Sequence, residues 1–312
     1  MELPPKLWFK IERLKAWWHS TFGEKNQSYD TSHRMCPECR ALNPRGTKVC
    51  PHCGARMGPQ RARGSMGTPG RIMGIIPAPT SATSILAAAI VLMYVAEWFL
   101  TQRAGGSGHS MGLFGIGGIR ASVMLRLGGL FGPLVYAGQW WRLVTAMFLH
   151  AGLLHIGFNL WVLFDVAPEV EELFGTSKFI VSYLITGVVG YIASLWWIPM
   201  ALAIGASGAI MGLIGVLIGA TFHHGQFGKA YRSMLWRWVI YIFIFGLFFP
   251  VDNAAHFGGL AAGIVFGYLV PEGTPETRPG ENLWNALAIL SVLIIAGSLV
   301  LMAMQINSPL YR

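Results

Sequence analysis

The chain is 312 residues long, with 54% hydrophobic and only 12% charged residues. Soluble domains carry roughly 25% charged residues. The composition therefore excludes a disordered chain, a nucleic-acid module throughout and an ordinary soluble enzyme, and a mean hydropathy of +0.50 points to a membrane protein. The formal net charge of +9 is concentrated at one end, because residues 1–80 hold 13 of the 23 Lys and Arg and only 5 of the 14 Asp and Glu.

Residues 1–33 form a basic N-terminal segment. Within residues 1–20, Leu7, Trp8, Phe9, Ile11, Leu14, Trp17 and Trp18 are set among Lys and Arg, the pattern of a short amphipathic helix lying on a membrane surface. Glu2, Lys6, Lys10, Glu12, Arg13 and Lys15 interrupt any apolar core there, so no signal peptide is expected. A basic stretch ahead of a first span predicts a cytoplasmic N-terminus facing an anionic leaflet. Nucleic acid is not expected as a partner.

Residues 34–58 hold all four cysteines, as Cys36-Pro-Glu-Cys39 and, ten residues on, Cys50-Pro-His-Cys53. Two such knuckles can place four thiolates tetrahedrally around one Zn²⁺. Gly46 and Gly54 supply the tight turns, and Asn43-Pro44-Arg45-Gly46 reads as a turn joining two short strands. So short a segment buries no core, so the metal would supply most of its folding free energy. Disulfides are the competing reading, and a reducing cytoplasmic location argues against them. Cys36, Cys39, Cys50 and Cys53 are therefore the expected ligands, with His33 and His52 spare. The segment resembles a zinc ribbon, which binds a protein partner or serves as a structural cap. Residues 59–80 are a Gly/Pro-rich linker.

From residue 81 on, apolar runs recur near the roughly 20 residues a bilayer requires. They predict seven spans, at about 82–102, 147–166, 178–197, 206–223, 234–250, 254–271 and 283–305. Six fall in a core over residues 81–271, and residues 272–312 form a linker and a seventh helix. The runs at 206–223 and 254–271 are short and rich in Gly and Ala, so these helices should be thin and central. Gly259, Gly263 and Gly267 make one smooth helix face. With the N-terminus inside, residues 103–146 form an outer loop. Its Arg103, Arg120, Arg126 and Arg142 run against the charge rule, which weighs long loops less.

Polar groups inside spans are costly and mark function by default. Three places carry them. His150-Ala-Gly-Leu-Leu-His155-Ile-Gly-Phe-Asn159 lies in the outer half of the second span, with His155 and Asn159 four residues apart on one helix face. Gly205-Ala206-Ser207-Gly208 opens the fourth span, where small residues let a backbone approach the serine and where helix N–H groups have no partner. Ala255-His256-Phe257-Gly258-Gly259 opens the sixth. All fall at similar depth on one side. A serine needs a base, which histidine supplies, and hydrogen-bond donors can hold the developing oxyanion.

Over roughly residues 81–271 the chain resembles the rhomboid intramembrane serine proteases. The resemblance implies an all-α membrane protein, a six-helix transmembrane bundle plus a C-terminal seventh helix. It implies Ser207 as nucleophile in Gly205-Ala206-Ser207-Gly208, and His256 as general base in the motif that continues to Gly259 and Gly263. It also implies His155 and Asn159, with the Ser207 N–H, as the oxyanion hole. His150 matches a family histidine of more structural role, and Gln139-Trp140-Trp141-Arg142 the structural Trp-Arg motif of the first outer loop. The family uses a Ser–His dyad without a third acid, so Asp252 is left out of catalysis. Some members carry Tyr where this chain has Met211, which predicts an altered rate or histidine geometry. The implied reaction is hydrolysis of peptide bonds in or near spans of transmembrane proteins, with no catalytic cofactor. The compact plan suggests a bacterial inner membrane. A client-binding pseudoprotease would lack Ser207 or His256, and a transporter would show two similar halves, which are absent from the sequence.

Overall fold

The computed structural model describes residues 33–35, 42–44, 47, 49–54, 71–72, 76–77, 81–106, 117–248, 251–273, 275 and 277–306. The chain divides into two compact units, Met1–Ile75 and Ile76–Arg312. The expected amphipathic helix at residues 1–20 lies outside the described residues.

In the first unit, β1 (His33–Met35) pairs antiparallel with β2 (Leu42–Pro44), His33 opposite Pro44 and Met35 opposite Leu42. The strands therefore flank the first Cys-x-x-Cys segment. Asn43 and Pro44, expected in a turn, instead end a strand. Proline donates no N–H to a ladder, and the last position of an edge strand tolerates that.

The second unit is helical. Helix α1 spans Ser81–Arg103. Three short helices follow, α2 (Ala121–Arg126), α3 (Gly132–Tyr136) and α4 (Arg142–Thr145). The longer helices are α5 (Leu153–Phe174), α6 (Thr176–Trp197), α7 (Ser207–Ala220), α8 (Gly225–Phe248), α9 (Asn253–Leu269) and α10 (Arg278–Gln305). With α1, these overlap the seven apolar runs one for one. Among the described residues four helices, at 82–103, 153–174, 176–197 and 278–305, are long and apolar enough to cross a membrane.

The second apolar run and its helix differ in register. The run opens at 147, yet Ala146–Phe148 form a 3₁₀ turn and α5 begins only at Leu153. The backbone between them is used by other elements. The His150 N–H donates to the Glu97 carboxylate at 3.0 Å, the Ala151 N–H to His155 Nδ1 at 3.2 Å, and the Ala151 carbonyl accepts from Ile119 N–H at 3.0 Å. A helix cannot extend through amides already committed elsewhere.

The core is built around α7, in which every residue from Gly208 to Ala220 is buried. Helix α9 lies directly on it. A Cβ placed on Gly259, Gly263 or Gly267 would strike the carbonyl oxygens of Gly208, Gly212 and Val216 respectively. In return, a Cβ on Gly215 or Gly219 would strike those of Leu260 and Ile264. The two helices thus pack backbone against backbone through interleaved glycines, the close approach that small residues permit.

Of the arginines in residues 103–146, Arg120, Arg126 and Arg142 are taken up by backbone carbonyls. Arg142 is fully buried; its Nε donates to Gln139 Oε1 at 2.7 Å and its Nη1 to the carbonyls of Leu125 and Gly129 at 2.8 and 2.6 Å. Arg120 donates to Gly106 and Gly105 carbonyls just past the end of α1, and Arg126 to the Ile306 carbonyl at the end of α10. Arg103 lies over the Phe99 ring. Helix C-termini leave carbonyls without partners and carry partial negative charge, so Arg120 and Arg126 hold the loop to the ends of α1 and α10. At the opposite end of α10, Ser177 Oγ donates to Asn285 Oδ1 and Lys178 Nζ to the Pro271 and Gly273 carbonyls, tying α6 to the segment around α10.

Candidate active site

Ser207 is the first residue of α7, reached through Gly205 at φ +120. That backbone conformation favours glycine, and space demands it as well. A Cβ on Gly205 would stand 2.9 Å from His155 Nε2 and 3.8 Å from Ser207 Oγ. The Gly205 N–H donates to the Ala146 carbonyl at 2.9 Å, and the buried Tyr191 hydroxyl donates to the Gly205 carbonyl at 2.8 Å. The backbone leading to the serine is therefore held on both sides.

His256 lies one turn into α9 and is buried. Its Nε2 is 2.8 Å from Ser207 Oγ, although the residues are 49 apart in sequence. The glycine contacts between α7 and α9 set that distance. For Nε2 to accept the serine proton the ring must carry its own proton on Nδ1. Nδ1 is buried and has no hydrogen-bond partner among the described residues. Asp252 does not reach it. Its carboxylate caps α9 by accepting from the Ala255 N–H at 2.9 Å, and it also accepts from the Ser194 hydroxyl. Phe243 of α8 presents its ring edge-on to His256 at 6.3 Å between centroids. Met211 is fully buried in α7.

His155 enters the same place from α5. Its Nδ1 accepts from the Ala151 N–H, so in the neutral ring the proton sits on Nε2. That N–H faces Gly205, close to Ser207. Asn159, one turn on, donates from Nδ2 to the His155 carbonyl at 2.8 Å, and its Oδ1 is buried without a partner among the described residues. His150 is fully buried with its ring 4.9 Å from that of His155. A hydroxyl on an unshielded helix start, an acceptor imidazole beside it and a donor imidazole across from it are the parts of acyl transfer.

Two buried groups at this site have little trace in the sequence motifs. Tyr191 sits in an apolar run with nothing to distinguish it. Glu97, fully buried on α1, did leave a signal, since it is a carboxylate within the first apolar run.

The cysteine segment is only partly described, because Cys36 and Cys39 lie outside the described residues. In the second knuckle the chain turns at residues 51–53, the Gly54 N–H donates to the Cys50 carbonyl at 2.9 Å, and Gly54 has φ +73. Cys50 is buried, and Asn43 Nδ2 donates to its Sγ at 3.6 Å. Among the described residues no group of three or more His, Cys, Asp or Glu could hold a metal ion.

Comparison with known proteins gives a consistent picture. Residues 137–273 match the family model described as the Rhomboid domain, which takes in Arg142, His155, Asn159, Ser207 and His256. The chain is 31% identical over 210 residues to the rhomboid protease GluP of Bacillus subtilis, covering 65% of this chain and 38% of that protein. It is 30% identical over 203 residues to the mitochondrial RHOMBOID-like protein 6 of Arabidopsis thaliana, covering 58% and 65%. The rhomboid protease AarA of Providencia stuartii is 30% identical over 212 residues, covering 57% of this chain and 72% of AarA. The chain thus spans less than two thirds of the first two relatives.

Proposed function

We propose a function from one premise: the chain belongs to the rhomboid family. It is an integral multi-pass membrane protein, and its function is that of an intramembrane serine endopeptidase. It hydrolyses peptide bonds in or near the spans of transmembrane proteins within the lipid bilayer. The observation that carries this reading is the 2.8 Å approach of His256 Nε2 to Ser207 Oγ. In the reaction His256 takes the Ser207 proton, and Ser207 attacks the scissile carbonyl. The His155 Nε2–H, the Asn159 amide and the Ser207 N–H stabilise the oxyanion. His256 then protonates the leaving amine, and water hydrolyses the acyl-enzyme. The dyad works without a third acid, and no cofactor takes part. Gly205, Gly259 and Gly263 fix the geometry, and Arg142 and His150 hold the loop around it.

The six helices α1 and α5–α9 form the bundle, and α10 is the added seventh. The N-terminus is cytoplasmic, in a bacterial inner membrane. The basic residues ahead of α1 support this orientation, because short cationic segments beside a span weigh more in topology than a long loop. Ahead of the bundle, Cys36, Cys39, Cys50 and Cys53 would hold a structural Zn²⁺, and the ribbon would offer a surface to a protein partner. The glycine turn after Cys53 and the strand pair flanking the first knuckle fit such a site. When bound, the metal would supply folding free energy to the ribbon.

The deciding experiment is cleavage of a fluorogenic single-span substrate in liposomes. Wild type is expected to cut, and Ser207→Ala and His256→Ala are not. Cleavage that persists in purified Ser207→Ala would refute the dyad. For the ribbon, elemental analysis is expected to give one zinc per chain and none in the Cys36→Ser, Cys39→Ser double variant. Equal metal in both would dismiss the zinc ligands.

A further inference from the structure

We propose that Glu97 is a positioning residue of the active site. From α1 its carboxylate holds the Phe148–Gly152 turn, and through that turn His155, where the oxyanion hole needs it. The inference rests on the protease reading given above.

The turn is built from amides that avoid helical partners. Glu97 Oε2 accepts from the His150 N–H at 3.0 Å across 53 residues of sequence, and the next amide, Ala151 N–H, donates to His155 Nδ1 at 3.2 Å. The second bond assigns the His155 proton to Nε2, the atom facing Gly205 and Ser207. It exists only while Ala151 keeps its place. Ala151 is held on one side by the Ile119 N–H on its carbonyl, and on the other by Glu97 gripping the preceding residue. Without the carboxylate, the buried His150 N–H would have to find another acceptor. The nearest solution is to wind the turn into α5, which withdraws the Ala151 N–H from His155.

A second observation shows that the carboxylate is not there to fill space. Glu97 and His150 are both fully buried, yet Glu97 Oε1 and His150 Nε2 have no hydrogen-bond partner among the described residues. His150 Nδ1 lies 3.3 Å from the Phe148 carbonyl and so carries the ring proton, leaving Nε2 as a bare acceptor. An apolar side chain would occupy the Glu97 site without leaving a carboxylate oxygen unpartnered. Retaining it suits a demand for one strong acceptor at one amide. The His150 ring, 4.9 Å from His155, transmits that anchor sideways.

The test compares wild type, Glu97→Gln and Glu97→Met in liposomes with the same fluorogenic single-span substrate. Rates are divided by sites titrated with a fluorophosphonate, so that loss of folded enzyme does not enter. Methionine matches the volume and accepts no strong hydrogen bond, whereas glutamine keeps the acceptor. Glu97→Met should lower kcat per site by about 10- to 100-fold, the scale of a small displacement of catalytic groups, with KM within about twofold. Glu97→Gln should recover kcat to within about threefold of wild type. A Glu97→Met enzyme with wild-type kcat per site overturns the proposal, as does an effect confined to KM or a Glu97→Gln enzyme as slow as Glu97→Met. Should Glu97→Met not fold, Glu97→Asp, which withdraws the carboxylate by one methylene, should show the same drop, and wild-type kcat there overturns the proposal. A wild type that cuts nothing sinks the protease reading and this inference together. A wild type that cuts, with Ser207→Ala inert, confines any failure to Glu97.

Discussion

Helices α7 and α8 follow one another in the chain and are held by opposite means. All residues of α7 after Ser207 are buried, and its contacts with α9 run backbone to backbone. Among the described residues of α8, only Gly228, Leu235 and Val239 are buried, while Trp236, Trp238, Ile240, Tyr241 and Ile244 face outward. Glycine contacts allow one separation and no other, because the colliding atoms are carbonyls that cannot rotate away. Side-chain contacts such as those of Leu235 and Val239 can repack. The proposed pair Ser207 and His256 lies across the first kind of interface, with Phe243 of α8 packed T-shaped against His256. Chemistry that depends on a distance near 2.8 Å is thus placed where the backbone itself sets the distance.

The contrast can be broken at several points. The largest effect is expected where chemistry alone is removed. Ser207→Ala or His256→Ala should lower cleavage by about a thousandfold or more while leaving the thermal midpoint in detergent nearly unchanged; a large drop in the midpoint would mean that the dyad also holds the helices. Next comes Gly263→Leu, which drives a side chain into the Gly212 carbonyl. Overpacking costs about 1–3 kcal/mol where side chains can give way, and here backbone must move. The midpoint should fall by about 5–10 °C and cleavage should fall with it. An enzyme that tolerates leucine there would refute backbone packing. Gly205→Ala comes third, combining a strained φ, worth about 1–2 kcal/mol, with a clash against His155. It should cost about 100-fold in kcat with a drop of only a few degrees in the midpoint. Leu235→Ala in α8 closes the series. It should lower the midpoint by about 5 °C or less, near the low end of about 2 kcal/mol for such truncations, with kcat preserved. A loss of kcat as large as that of Gly205→Ala would show that α8 shares in holding the dyad.

Much of the candidate site is legible in the sequence because chemistry restricts residue types. A serine between glycines and histidines inside apolar runs are rare enough to be noticed, and helical spacing placed His155 and Asn159 on one face. The seven apolar runs located the helices, although α5 began six residues late. That error has a local cause. Hydropathy registers side chains, whereas the amides of His150 and Ala151 are held by Glu97 and His155, a matter of hydrogen bonding across 53 and four residues. The strand pairing around the first cysteine knuckle is hidden for a similar reason, since Asn-Pro-Arg-Gly satisfies turn propensity while β2 answers to its partner β1. Glu97 carries a signal, a carboxylate within an apolar run, but stands alone in α1 without a motif to give it a role.

By itself the sequence determined the solvent in which this chain folds, that it folds into apolar helices, and the residue types it offers for chemistry. These follow from composition and from periodicity along one dimension. Tertiary structure decided which of those residues meet. It brought His256 to Ser207 across 49 residues and fixed the His155 tautomer. It also gave Arg120 and Arg126 to helix ends and lodged a buried carboxylate against the turn that opens α5. Such facts depend on distances between segments far apart in the chain. Here those distances are set by glycine contacts between two helices, which a string of residue types suggests but does not measure.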